Sequence, residues 1–320
     1  MPEVVTVGRV SVDLYAPQPG VGFEGDQTFV KSVGGSPTNV AVAAARLGRR
    51  AAVVTKVGGD GFGRYVRDRL SGWGVSLAHV GVVPGGQTPL ALAALDPPDS
   101  PQIAFYRGAA APDTTLVAAD LPAHVARGCG VLWISQGALA QGTTAAAATT
   151  WMNQRARARH TVLDLDYRPA LWPDPAAARR ASTLAISLCT VVVGNLEECE
   201  MALGTRDPQA VADALLAAGV ELAVVKLGGD GVLLANAAGR WQIPAVPVDV
   251  VCGLGAGDAF GGALSHGLLN GWDPVRLGRF AAAAGALVVG RLTCADAMGT
   301  QSEIESMPST EGEGPDGRGH

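Results

Sequence analysis

Nothing in this 320-residue sequence marks a metal finger, a disulfide framework or a membrane span. Its five cysteines, at positions 129, 189, 199, 252 and 294, include no C-x-x-C pair. That argues against zinc and disulfides and for a reducing, cytoplasmic location. No apolar run reaches membrane-spanning length; the best candidate, residues 280–290, is short, alanine-rich and reads as a buried helix. There is no basic excess: 24 Lys and Arg face 29 Asp and Glu, a net charge of −5, which disfavours a nucleic-acid partner. The N-terminus enters a β-branched run with no basic leader or cleavage-type segment, so no targeting segment is expected. No G-x-x-x-x-G-K-[ST] occurs, which excludes a P-loop. Lysine is scarce as well: Lys31, Lys56 and Lys226 stand against 21 arginines. A lysine kept in such a chain is either one that needs a compact ammonium or a matter of chance.

What is present is a packed, soluble body, 48% hydrophobic and only 17% charged, long enough for one large α/β domain or two small ones. The most informative stretch is residues 250–262, Val-Val-Cys-Gly-Leu-Gly-Ala-Gly-Asp-Ala-Phe-Gly-Gly. Residues 246–251 read as a strand, despite Pro247 and Asp249. A glycine turn follows, and Ala259, Phe260, Ala263, Leu264 and Leu268 then recur at helical spacing. Strand, glycine turn and helix start together make an anion site from backbone N–H groups and the positive end of a helix. Two readings of Asp258 in that site stand. In phosphoryl transfer, the amides of Gly255, Ala256 and Gly257 hold developing charge and Asp258 takes the proton of an attacking hydroxyl. Alternatively, Asp258 only caps the helix.

A second glycine motif, Gly34-Gly35-Ser36-Pro37-Thr38-Asn39-Val40-Ala41, opens a helix with Pro37 in its first turn, Ala41, Ala44, Ala45 and Leu47 on its buried face, and Gly48 at its stop. Together the two motifs resemble the signatures of the ribokinase-like (PfkB) carbohydrate kinases, G-G-x-x-x-N-x-A and GAGD, and the likeness extends from about Gly8 to Met298. The longer run 253–262, with Asp96-Pro97-Pro98-Asp99 and Phe105-Tyr106-Arg107, is similar to one branch, the 5-dehydro-2-deoxygluconokinases of inositol catabolism. The resemblance implies a three-layer α/β/α sandwich with a mostly parallel sheet and a small β-sheet lid. It implies ATP and Mg²⁺ as cofactors, a sugar-acid substrate, and a homodimer formed through the lid. Asp258 becomes the base, and Asp13, Gly34, Gly35 and Asn39 become contacts to substrate hydroxyls.

Other segments fit that frame. Residues 4–12 form a β-branched run that delivers Asp13, read as a buried first strand. Residues 28–33, 90–95 and 103–106 alternate or flank Gly/Pro-rich turns and read as lid strands, giving lid segments at about 14–33 and 88–108. Strands alternate with helices from residue 52 onward, which means a parallel sheet. Lys56 ends one strand and faces either an acidic substrate group or solvent. By resemblance, Arg107 faces the acid end of the substrate, where a guanidinium suits a carboxylate. Asp164-Leu165-Asp166-Tyr167-Arg168 is similar to the family's D-x-N-x-R, with Asp166 in place of asparagine. Arg168 then reaches substrate or phosphate, or pairs with Asp164 or Asp166. Asn195 and Glu198 match N-x-x-E and are implied to organise Mg²⁺ through water; Lys226 and the amides of Gly228 and Gly231 are implied to lie under the nucleotide.

Two departures matter. Cys252-Gly253-Leu254 replaces the Asp-Thr-Thr that often helps hold a monovalent cation, which leaves that cation open. Ala282 replaces an asparagine near the adenine, which leaves nucleotide preference open. The expected organisation is one kinase domain over residues 1–301 and a disordered tail over 302–320. Rival readings are a 2-keto-3-deoxygluconate kinase, a neutral-sugar kinase of fructokinase or ribokinase type, and a catalytically silent sugar-binding regulator.

Overall fold

The computed structural model describes residues 1–108 and 110–308. Its first strands are β1 (Val4–Val7), β2 (Ser11–Ala16), β3 (Val30–Gly34), β4 (Ala51–Gly58), β5 (Val80–Val83), β6 (Leu90–Ala94) and β7 (Gln102–Tyr106). The others are β8 (Val131–Ser135), β9 (His160–Asp164), β10 (Val191–Asn195), β11 (Leu222–Lys226), β12 (Val232–Asn236) and β13 (Gly239–Ile243). The helices are α1 (Ser36–Arg46), α2 (Gly61–Gly72), α3 (Ala123–Gly128), α4 (Gly142–Arg155) and α5 (Pro175–Ser187), then α6 (Leu196–Leu203), α7 (Pro208–Ala217), α8 (Ala256–Leu269), α9 (Pro274–Val289) and α10 (Gln301–Glu305).

The large sheet runs β13-β12-β11-β10-β9-β8-β1-β4-β5, parallel from β11 to β5, with an antiparallel hairpin at the β13 edge. Its strands are apolar on both faces because helices cover both. Val4 packs in the cluster under α1, α8 and α9, whereas Val5 and Val7 pack in the cluster under α4 to α7, as a period of two requires. The result is the three-layer α/β/α sandwich of ribokinase-type enzymes. No helix among the described residues is long and apolar enough to cross a membrane.

The small sheet, β3-β2-β6-β7, joins two antiparallel pairs through a parallel β2–β6 contact. It corrects the reading of residues 4–12 as one strand. Gly8, at φ +139°, ends β1, and the chain re-enters as β2 in the other sheet, where Asp13 pairs between Ser32 and Ala91. Asp13 therefore belongs to the small sheet and not to the end of a core strand.

Two further expectations change. Residues 246–251 form no strand: beyond β13, Pro244 and Pro247 offer no N–H to a ladder, and Val248, Val250 and Val251 are exposed. The tail does not begin at 302. Thr300 and Glu303 form a capping box that starts α10, and Ile304 is buried in the core. The remainder of the expected tail, residues 309–320, lies outside the described residues.

Candidate active site

The glycine turn enters α8 with Gly255 as N-cap in the left-handed region (φ 84°), where a Cβ would also stand 2.6 Å from Cys294 Sγ. The first intrahelical bond runs from Ala259 N to Gly255 O at 2.9 Å. The amides of Ala256, Gly257 and Asp258 precede it and have no partner inside the helix. Asp258 thus lies in the first turn, with the helix dipole behind it.

Close packing of α1 on α8 brings Asn39 to this carboxylate. A side chain at Gly262 would collide with Ala43, so only glycine there lets the helices approach. Asn39 Nδ2 donates to Asp258 Oδ2 at 2.8 Å, and Asn39 Oδ1 is buried and unbonded, an acceptor ready for a hydroxyl. Burial, and next the charge of Asp166, push the Asp258 carboxyl up to about 6, while the Asn39 hydrogen bond opposes the shift. A base with that pKa is ionised at neutral pH and still able to hold a proton.

Asp258 lies between two cavities and lines both. The smaller one is walled by Asp13, Gly35, Asn39, Arg107 and Arg168. Asp13 accepts from Ser11 Oγ (2.6 Å) and Tyr15 OH (3.3 Å), and burial raises its pKa against those bonds. Gly34 is set back from the cavity; a Cβ there would collide with the Asp13 carboxylate, so the first glycine of the motif makes room for Asp13. Arg107 Nη1 donates to buried Asp113 Oδ2 at 2.7 Å. Arg168 Nη2 pairs with Asp166 Oδ1 at 2.9 Å and lines both cavities. Burial would raise Asp166, but Arg168 and then Arg9 outweigh it and hold the carboxyl below its usual range.

The larger cavity, about 860 Å³, is ample for a nucleotide. Lys226, Gly228, Gly231, Asn195, Glu198 and Ala282 line it. Lys226 Nζ stands 3.7 Å from Glu198 Oε2 and 4.0 Å from Asp164 Oδ1. Burial would lower the lysine, but Glu198 and Asp164 reverse that and raise it. Burial raises Asp164 well above a usual carboxylate, in spite of Lys226. The lysine is a fixed cation beneath the turn, close to Gly257: a Cβ on that glycine would be 3.3 Å from Nζ.

Not every expected residue converges. Lys56 lines neither cavity; it donates to Thr115 O at 2.9 Å and pairs with Asp120 at 2.8 Å, so a substrate contact is not its role. Asn195 and Glu198 form a capping box on α6, with each side chain accepting the other's backbone N–H. Among the described residues no group of three or more His, Cys, Asp or Glu side chains is arranged to hold a metal ion. The carboxylates of Glu198 and Asp164 supply hard oxygens on the larger cavity, and so fit a Mg²⁺ that arrives hydrated with a phosphate rather than one caged by protein. Cys252 is buried in an apolar cluster with Tyr15, Leu95 and Cys294, and burial pushes its thiol up, so its side chain offers no anionic oxygen to a monovalent cation. One charged residue of the smaller cavity had no motif to announce it: Arg9, whose only signal is a charge inside the β-branched run 4–12.

Comparison with known proteins agrees with this geometry. The pfkB family carbohydrate kinase model matches residues 1–301. A 5-dehydro-2-deoxygluconokinase of Geobacillus thermodenitrificans (strain NG80-2) is 31% identical over 95% of this chain and 92% of that protein. One of Shouchella clausii (strain KSM-K16) is 31% identical over 95% of each. Among solved structures, fructokinase with bound ATP from Xylella fastidiosa superposes with a TM-score of 0.83 at 27% identity, over 96% of this chain and 98% of that one. A fructokinase double mutant from Vibrio cholerae O395, bound to fructose, ADP and potassium, gives 0.83 at 26% identity, over 95% and 98%. With both glycine motifs on one helix pair, a half-buried carboxylate between two cavities and a family match across 1–301, the chain belongs to the pfkB family of carbohydrate kinases.

Proposed function

We propose that this kinase transfers the γ-phosphoryl group of ATP to the 6-hydroxyl of 5-dehydro-2-deoxy-D-gluconate. The observation that carries the reading is Asp258, half-buried where the two cavities meet at the start of α8 and raised to about 6. The acceptor's hydroxyls lie against Asp13 and Asn39. Asp258 takes the 6-hydroxyl proton as the new O–P bond forms and the bond to the β-phosphate oxygen breaks, with ADP leaving. The turn amides from Gly255 to Asp258, Lys226 and Arg168 hold the charge on the phosphoryl group in transit. Mg²⁺, when bound, neutralises charge on the β- and γ-phosphates; Glu198 and Asp164 would hold it through water. The relatives named 5-dehydro-2-deoxygluconokinase support the choice of acceptor.

The reading extends to location and assembly. All five cysteines are unpaired, which suits the cytoplasm. Val30, Ile103 and Phe105, exposed at the edges of the small sheet, support a homodimer through that sheet. One observation favours a neutral-sugar acceptor instead: Arg107 is already compensated by the fully buried Asp113.

The test is ADP release with Mg-ATP against dehydrodeoxygluconate, 2-keto-3-deoxygluconate, fructose and ribose. Preference for the first is expected. Preference for a neutral sugar would overturn the acceptor and keep the kinase; silence with every sugar in a folded protein would favour a regulator.

A further inference from the structure

Arg9 leaves β1 beyond Gly8 and enters the smaller cavity. Its side chain is 10% exposed; Nη2 donates to Asp166 Oδ2 at 2.5 Å, and Nε is buried without a hydrogen-bond partner. Gly137 leaves room for it, since a Cβ there would stand 3.2 Å from Nε. Arg107, just past β7, reaches the same wall. Asp113 Oδ2 accepts both Arg107 Nη1 (2.7 Å) and Val10 N–H (3.4 Å), which sets the Arg107 guanidinium beside the Arg9–Val10 peptide. Arg107 Nε is likewise buried and unbonded.

Charge decides which arginine is available. Arg107 and Asp113 cancel in a buried pair. Asp166 is shared by Arg9 and Arg168, so one carboxylate pairs with two guanidiniums, while Asp13 and Asp258 face them across the same cavity. Arg168 also lines the nucleotide cavity, where phosphoryl charge needs it; Arg9 lines only the acceptor cavity. Buried donors without acceptors are rare in folded proteins and imply a ligand or water that satisfies them. A carboxylate lying between two guanidinium groups satisfies several donors at once.

We infer that Arg9 is a specificity-determining residue that binds the anionic end of the acceptor, that the free Nε donor of the neutralised Arg107 assists it, and that Asp166 positions it. The inference rests on the sugar-acid reading above. It also accounts for Asp166, because an asparagine there would remove the carboxylate that Arg9 pairs with directly.

The experiment compares wild type, Arg9→Gln and Arg9→Lys on dehydrodeoxygluconate and on its C1 carboxamide, which keeps the hydroxyls and loses the charge. Arg9→Gln is expected to lower the acid-over-carboxamide preference in kcat/KM by roughly 30-fold or more, through KM, the loss expected when a buried charge pair is truncated. Arg9→Lys keeps a cation beside Asp166 but not the planar fork, and is expected to restore only part of the preference. Equal losses on both acceptors, or no change on either, overturn the inference. If circular dichroism shows Arg9→Gln unfolded, the same ratio in Arg9→Lys decides. Wild type that prefers the acid while the ratio fails to move sinks Arg9 alone; wild type that takes only neutral sugars sinks the acceptor reading and this inference with it.

Discussion

Asp258 is a half-buried carboxylate at the start of a helix and between two cavities, and its chemistry follows from that placement. Replacing it with asparagine keeps the shape and the contact to Asn39 but removes the carboxylate proposed as the base. The expected result of Asp258→Asn is a fall in kcat of roughly 10²–10⁴ with KM little changed; a fall under about tenfold would make Asp258 only a helix cap. The pH dependence has a definite sign. The carboxyl is raised from 3.8 to about 6, so the base form is lost as pH falls through about 6. Below that point kcat/KM should drop about tenfold per pH unit. Asn39→Ala removes the hydrogen bond that favours the ionised form, so the acid limb should move to higher pH; a limb that stays put belongs to another group. Stability responds the other way. Between 3.8 and about 6 the folded state binds the Asp258 proton more tightly than the unfolded chain, so this group's contribution to stability declines as pH rises across that window.

At the scale of elements, the glycine motifs were legible because they are backbone constraints local in sequence. Gly34 and Gly255 stand where a Cβ would strike Asp13 and Cys294, and no other residue type fits. Arg9 was not legible, since its partner Asp166 lies 157 positions away, and neither was the loss of Lys56 to Asp120. The division of residues 4–12 between two sheets was equally hidden: a β-branched run states strand preference but not which sheet it joins. One contact between elements shows what the departure at 252–254 does. Gly253 N donates to Pro98 O at 2.9 Å, and a Cβ on Gly253 would collide with Asp99 O. The β6–β7 turn therefore rests on the glycine turn before α8, and Asp99 lines the larger cavity. Gly253→Ala should push that turn away, cost about 1–3 kcal/mol of stability as overpacking does, and speed amide hydrogen exchange across residues 96–101. Unchanged exchange there would mean the turn is held by its own strands and not by Gly253.

At the scale of the whole molecule, the small sheet both covers the acceptor cavity and is left partly uncovered itself. Register puts Asp13 opposite Ala91 and Tyr15 opposite Ala93, with Val30, Ile103 and Phe105 paired to these same rows on the flanking strands. One face of the sheet thus has a buried centre against the cavity and apolar edges open to water; Phe105 is 40% exposed. A monomer would leave hydrophobic rings at the mouth of a charged site, whereas a second copy applied through its own small sheet buries both edges and closes both cavities. Light scattering on a sizing column should give about twice the 32.4 kDa chain. Phe105→Asp should return the mass to that of one chain and raise KM for the acceptor more than for ATP, because the residue lines only the acceptor cavity. The two readouts separate the roles of the ring. A dimer that survives Phe105→Asp with a raised KM would confine the residue to its own site, and a monomeric wild type with full activity would leave the small sheet to cover the cavity unaided.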